Sequence, residues 1–284
     1  MLRTGDEANL RTQPLLDARG GRLAKPVVDC RAQEVEVRWG WPEPWLLGPW
    51  RTDVIRNGVM LTPRGDWEEV CRYREGRIEH WEYERKLSHG VRLQRQITYL
   101  GRDGVLFLAD AVLSSRRACW AVEVARGIGP AVLRTDGESP AGVSPGIAAA
   151  AWWMPLIPQE YFQPDADPRS PSPGMATWRG RWEGRALSLP FVLLAPGSAA
   201  GSEVERRSPP TWRNLTVTER AHVVSADTAV AYRVQLGSRQ WVFYRSLAAP
   251  GNRAFLGCNF AGESLAGTFG KKGVTALLEV ELEE

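Results

Sequence analysis

The chain has little lysine, little histidine and no apolar run long enough to cross a membrane. Lysine occurs only at 25, 86, 271 and 272, so nearly all of the 36 basic residues are arginine, a bias that a GC-rich bacterial-type genome would produce. Against 33 acidic residues the net charge is only +3, spread along the chain, which gives no case for a nucleic-acid partner. The longer apolar stretches are broken by proline or charge, so no membrane span is expected. The first residues, MLRTGDEANLRTQPLLDARGG, lack a signal-peptide core, so a cytoplasmic, soluble protein is expected.

The four cysteines, Cys30, Cys71, Cys119 and Cys258, are far apart and show no zinc spacing; they read as free buried thiols. No metal or cofactor is expected. No Walker motif, dinucleotide fingerprint or nucleic-acid module is present. Gly142-Val143-Ser144-Pro145-Gly146 matches a nucleophile-elbow pattern. Pro145 has no N–H to offer an oxyanion hole, so the match is physically poor. Convincing amphipathic helices are also missing, because proline and glycine punctuate the chain too closely.

What remains is strand. Hydrophobic content of 43% over 284 residues is enough for a sizeable core, and thirteen tryptophans favour an aromatic-rich β core, sugar-stacking platforms, or both. The most legible stretch is 77–125. Arg77–Leu87, Val91–Leu100, Val105–Leu113 and Cys119–Ala125 read as four antiparallel strands, with turns at Ser88-His89-Gly90, at 101–104 and at 114–118. Tight turns set the register: Tyr83 faces Arg95, and Arg95 faces Asp110. One sheet face is then apolar (Trp81, Leu87, Val91, Leu93, Ile97, Tyr99, Leu106, Leu108, Val112), crossed by a Tyr83–Arg95–Asp110 row. A guanidinium and a carboxylate on an apolar face need each other, so a structural charge pair between Arg95 and Asp110 is expected, with Tyr83 joining it.

The opposite face carries His80, Glu82, Glu84, Lys86, Arg92, Gln94, Gln96 and Thr98, and reads as a solvated sheet surface. His80, Glu82 and Glu84, at alternate positions on one strand, are candidate acid–base groups, and Tyr83 is a fourth catalytic candidate. His89 in a turn and His222 in a later strand read as structural or solvated. Trp41, Trp45 and Trp50 stand in a segment with three prolines, where no regular structure is expected. They are candidate substrate-binding residues on an exposed platform.

The rest of the chain supports the same class. Residues 1–24 read as a loose arm. The span 25–284 reads as a single all-β domain, a large antiparallel β-sandwich of about fifteen short strands with little helix. An internal boundary near 163–174 is marked by Pro, Asp and Ser. Thr177–Trp182 and Ala186–Leu194 read as a hairpin turning at Glu183-Gly184. The sequon Asn214-Leu215-Thr216 matters only in a secreted chain.

The aromatic and acidic strand from Trp81, followed by HGVRLQRQITYL and VLFLADAVL, is similar to the C-terminal β-sandwich of heparinase II/III-type polysaccharide lyases. That family often has an Arg-bearing strand and then an apolar strand ending near Asp, here Arg95 and Asp110. The helical toroid that precedes the sandwich in those lyases has no counterpart, so no catalytic residue carries over. The resemblance implies a stand-alone sandwich, non-catalytic and associated with polysaccharide recognition or assembly, with a polysaccharide or protein as partner. A lyase or epimerase type of enzyme and a scaffold without a small ligand are the alternatives.

Overall fold

The computed structural model describes residues 25–31, 33–40, 45–129, 132–134, 151–157, 162–164, 174–195, 209–249 and 251–281. The expected arm at 1–24, the Gly142–Gly146 motif and most of the 163–174 segment lie outside them. Among the described residues there is no α-helix, and a single short 3-10 turn spans Ser88–Gly90. The fold is all-β with antiparallel pairing almost throughout. Two compact units are formed, Leu15–Ser198 and a smaller one within Ala199–Glu284, where the sequence suggested a single domain with a break near 163–174.

The larger unit contains β1 (Val27–Arg31), β2 (Glu34–Arg38), β3 (Leu46–Arg56), β4 (Val59–Met60), β5 (Glu68–Glu75), β6 (Ile78–Lys86), β7 (Arg92–Leu100), β8 (Val105–Ile128), β9 (Val132–Arg134), β10 (Ala151–Pro155), β11 (Phe162–Pro164) and β12 (Gly174–Leu194). All twelve join in one hydrogen-bonded sheet. The long partners β8 and β12 pair over almost their whole lengths. The first half of β8, Val105–Leu113, pairs with β7, and the second half pairs with β3. Two sheet layers therefore share the same two strands, and the layers close on each other because Arg95 of β7 reaches Trp50 of β3.

This corrects two expected turns. Residues 114–118 do not return the chain in a fourth meander strand, and Glu183-Gly184 does not close a hairpin. Both are places where a long strand bends, and the pairing shifts register between Gly184 and Ala186. Glycine in a strand is the usual material of such a bulge, which bends a strand without ending it. The bend lets each strand bury apolar residues in both layers. The expectation of irregular structure around the three prolines also fails at its C-terminal end. β3 begins at Leu46 and passes through Pro49, which pairs with Glu36 of β2, while the register with β8 shifts between Leu46 and Trp50.

The meander register is as the turns dictate: Tyr83 opposite Arg95, Arg95 opposite Asp110, Trp81 opposite Ile97, and Ile97 opposite Leu108. His89 takes φ 61° in the first turn, and Gly104 takes φ 65° in the second. All nine residues of the expected apolar face lie in the core, with Val54, Trp120, Val122, Val124 and Trp178 from β3, β8 and β12. The other face of β6 and β7 is not the solvated surface expected: His80, Glu82, Gln94, Gln96 and Thr98 are all buried.

The smaller unit contains β13 (Thr211–Asn214), β14 (Thr218–Glu219), β15 (His222–Val223), β16 (Ala229–Leu236), β17 (Arg239–Ser246), β18 (Arg253–Phe255), β19 (Cys258–Phe260), β20 (Ser264–Gly270) and β21 (Gly273–Val280). They form a five-stranded sheet, β13-β16-β17-β20-β21, and a four-stranded sheet, β15-β14-β18-β19. Its core gathers Val217, Ala229, Ala231, Val242, Tyr244, Phe255, Phe260 and Leu265, with Tyr244 and Phe255 stacked at 4.9 Å. The four cysteines are free, but none is buried, contrary to expectation; Cys30 and Cys119 are exposed.

Gly267 sits where β20 shifts register against β21, and a Cβ there would lie 2.6 Å from the Thr275 carbonyl oxygen. Backbone on the partner strand cannot swing aside as a side chain can. Gly267→Ala is expected to destabilise the smaller unit by about 1–3 kcal/mol. Amide hydrogen exchange should show faster exchange along β20 and β21, with protection in β6–β8 unchanged.

Candidate functional site

The centre of the larger unit is a polar cluster enclosed by apolar and aromatic side chains. Strand alternation points Arg95 and Asp110 to the same face, and the two-strand register puts them side by side. Arg95 Nε donates to Asp110 Oδ1 at 2.9 Å, and Nη2 donates to Oδ2 at 3.0 Å, a bidentate pair that is almost fully buried. β3 completes it from the opposing layer. Trp50 Nε1 donates to Asp110 Oδ2 at 2.8 Å, and the Thr52 hydroxyl donates to the same oxygen. Arg95 Nη1 donates to the Trp50 carbonyl at 2.7 Å. The Arg95 guanidinium also lies over two indoles, 4.1 Å from the Trp50 centroid and 4.7 Å from that of Trp67.

Tyr83 does not join this cluster. It stands across the ladder from Glu69, and burial, reinforced by the Glu69 charge, raises its pKa well above the ordinary phenol value. It stays protonated at neutral pH and is a poor base there. The reason is reach: on the neighbouring strand β5, Glu69 lies directly opposite Tyr83 in the ladder. Trp50 and Thr52, from the other layer, occupy the carboxylate's free lone pairs instead. Their contribution was not visible in sequence, since nothing local says which residues of β3 will face Asp110.

The tryptophan platform is corrected by the same contacts. Trp45 is 3% exposed and Trp50 is 5% exposed, so neither offers a ring to a sugar. Trp45 packs edge-on against Trp39 at 5.2 Å, and Trp50 clamps Asp110. Trp41 lies outside the described residues.

The candidate acid–base groups are placed on the second face of the sheet. His80 is fully buried; its Nδ1 lies 2.9 Å from the Thr98 hydroxyl, and its Nε2 is 3.9 Å from Glu82 Oε2. Glu82 is 2% exposed. Glu84 is half-buried and accepts from Arg92 Nη1 and Gln94 Nε2, both at 3.0 Å. Among the described residues no three His, Cys, Asp or Glu side chains are gathered to hold a metal. His222 is exposed, and His89 projects from its turn.

The surface of the same unit has a different character where β8 and β12 bend together. Arg116, Arg117, Arg181 and Arg185 are all exposed there. Glu183 lies 3.9 Å from Arg117. Cross-strand pairing of Glu183 with Cys119 and of Arg181 with Ala121 puts Arg181 and Glu183 on one face, and Arg117 reaches that glutamate. No helix among the described residues is long and apolar enough to cross a membrane.

The fold defines an all-β protein whose larger unit is a sandwich built on two shared, bent strands. No protein-family model and no curated protein matches the sequence. Solved structures are similar in part. A heparinase III with methylated lysines aligns with a TM-score of 0.41 and 9% identity over 68% of this chain and 29% of that one. A mutant heparan sulfate lyase HepC from Pedobacter heparinus aligns with a TM-score of 0.37 and 7% identity, over 66% and 30%. The chain spans less than a third of either structure.

Removal of Asp110 strands a buried guanidinium, an indole N–H and a hydroxyl together. Asp110→Ala is expected to lower the unfolding free energy by about 3–5 kcal/mol. The double variant Arg95→Met/Asp110→Leu leaves no unpaired charge and is expected to cost less than Asp110→Ala alone. Denaturant unfolding of the full cycle measures this; additive costs would contradict the coupling.

Proposed function

We infer that the chain is a non-catalytic β-sandwich module that recognises an acidic polysaccharide through the arginines at the shared bend of β8 and β12. The observation that carries this reading is the set of four exposed arginines, Arg116, Arg117, Arg181 and Arg185, at that bend, with Arg117 beside Glu183. Guanidinium forks match carboxylate and sulfate oxygens bidentately, and they keep their charge at any physiological pH. The patch lies at the bend between two paired stretches of β8 and β12. Repeating anionic units along a polysaccharide suit a row of such groups, each contact weak and the sum useful.

Burial of three of the four catalytic candidates, Glu84 being the exception, supports a binding role over a lyase or epimerase. His80, Glu82 and Tyr83 are each at most 3% exposed, and a general base must come within hydrogen-bond reach of the proton it removes.

Titration calorimetry against heparin, a polyuronate and neutral dextran tests the reading. Binding to the two acidic chains, weakening as salt screens the contacts, is expected, with none to dextran. Arg116→Ala/Arg117→Ala/Arg185→Ala is expected to weaken it by about tenfold or more, since each tenfold needs only about 1.4 kcal/mol. Ultraviolet absorbance of unsaturated uronates should not develop on incubation. Its appearance would establish a lyase, and equal binding to dextran would remove the arginine patch as the recognition surface.

A further inference from the structure

Arg126 is a second cation inside the larger unit, and among the described residues its guanidinium has no hydrogen-bond partner. It sits opposite Trp50 in the pairing of β8 with β3, and alternation turns it inward with Val122 and Val124. It is 1% exposed. Its guanidinium carbon stands 3.2 Å from the Trp50 ring centroid, 4.7 Å from that of Phe191 and 5.8 Å from that of Trp153. Among the described residues, none of its Nε, Nη1 and Nη2 atoms has a hydrogen-bond partner. Burial pushes its pKa well below the ordinary arginine value, an effect Asp110 opposes and Arg95 adds to.

Aromatic faces satisfy the flat sides of a guanidinium, not its N–H edge. Asp110 is the nearby anion, but its oxygens already accept from Arg95, Trp50 and Thr52. A second orphan lies in the same surroundings: Trp153 Nε1 is buried and lacks a partner among the described residues. Trp153 stacks on Phe191 at 5.2 Å, and Phe191 also faces Arg126.

Every orphan here is a donor. A guanidinium and an indole cannot accept, so neither can satisfy the other. What they lack in common is an acceptor. Charge gives the same answer: two guanidinium groups, Arg95 and Arg126, share one carboxylate, Asp110. A single negative charge would balance the cluster and receive the idle N–H groups.

We propose that Arg126 and Trp153 form a buried binding site for one small monovalent anion, a halide or a small carboxylate. The site is separate from the arginine patch and does not depend on what that patch binds. The anion belongs to the folded chain and not to the unfolded one, so its binding should raise stability by mass action. Its role is to complete the charge balance of the core, and bulky anions should be excluded.

The test is thermal unfolding of the full chain at fixed ionic strength, replacing gluconate stepwise by chloride or by formate. The unfolding midpoint of the wild type is expected to rise with the logarithm of the small anion's concentration. The arm that responds identifies the source, halide or carboxylate. Arg126→Met is expected to lose the response. Trp153→Phe, which removes one donor and keeps the ring, is expected to shift the concentration needed upward about tenfold. A midpoint indifferent to the exchange would mean that water alone fills the site and would overturn the proposal, as would an Arg126→Met protein that responds like the wild type. Should Arg126→Met fail to fold, a crystal grown in bromide decides. An anomalous peak beside Arg126 and Trp153 supports the site, and its absence at saturating bromide overturns it.

Discussion

The bidentate pair of Arg95 with Asp110 is the constraint on which the larger unit depends. A buried ion pair adds little net stability compared with well-packed apolar groups, but each partner becomes costly when the other is missing. The pair therefore acts chiefly by excluding alternatives. A one-residue slip of β7 against β8 would send Arg95 to the far face and leave Asp110 alone in the core. Trp50 and Thr52 extend the same logic across the sandwich, since both donate to Asp110 from β3. One carboxylate thus fixes a strand register within a layer and the seating of one layer on the other.

That seating is possible because β8 and β12 are long enough to serve both layers. Their first and second halves pair with different neighbours, and the bend between them is polar and exposed. The same bend that closes the core carries the arginine patch to the surface. Structure and proposed recognition have a common cause there: a strand that turns between layers cannot bury its corner, and the corner is where charge is tolerated.

Around Asp110 and Arg126 the described atoms without a hydrogen-bond partner are donors, those of Arg126 and Trp153. Arg95 finds a carboxylate and a carbonyl, while among the described residues Arg126 finds aromatic rings and no hydrogen-bond acceptor. A buried guanidinium with an idle edge is an expensive arrangement in a protein whose whole stability amounts to about 5–15 kcal/mol. The imbalance gives the Arg126 site a physical motive that does not rest on any likeness to other proteins.

The sequence by itself determined the all-β class, the β6–β7–β8 register and the nine apolar residues of the inward face. Each follows from two-residue periodicity and from turns that need glycine or positive φ, and both are local properties. Residues 114–117, Ser-Ser-Arg-Arg, held a cue that was misread: a polar run without glycine, proline or asparagine is poor turn material, and the strand continues through it. Tertiary structure alone decided that the His80–Glu82 face is buried, that Trp50 serves Asp110 and not a sugar, and that Arg126 has no partner among the described residues. Alternation tells which residues share a face. It does not tell whether that face meets water, or which distant strand will supply the donor opposite a buried charge, because those contacts are set only when the layers close.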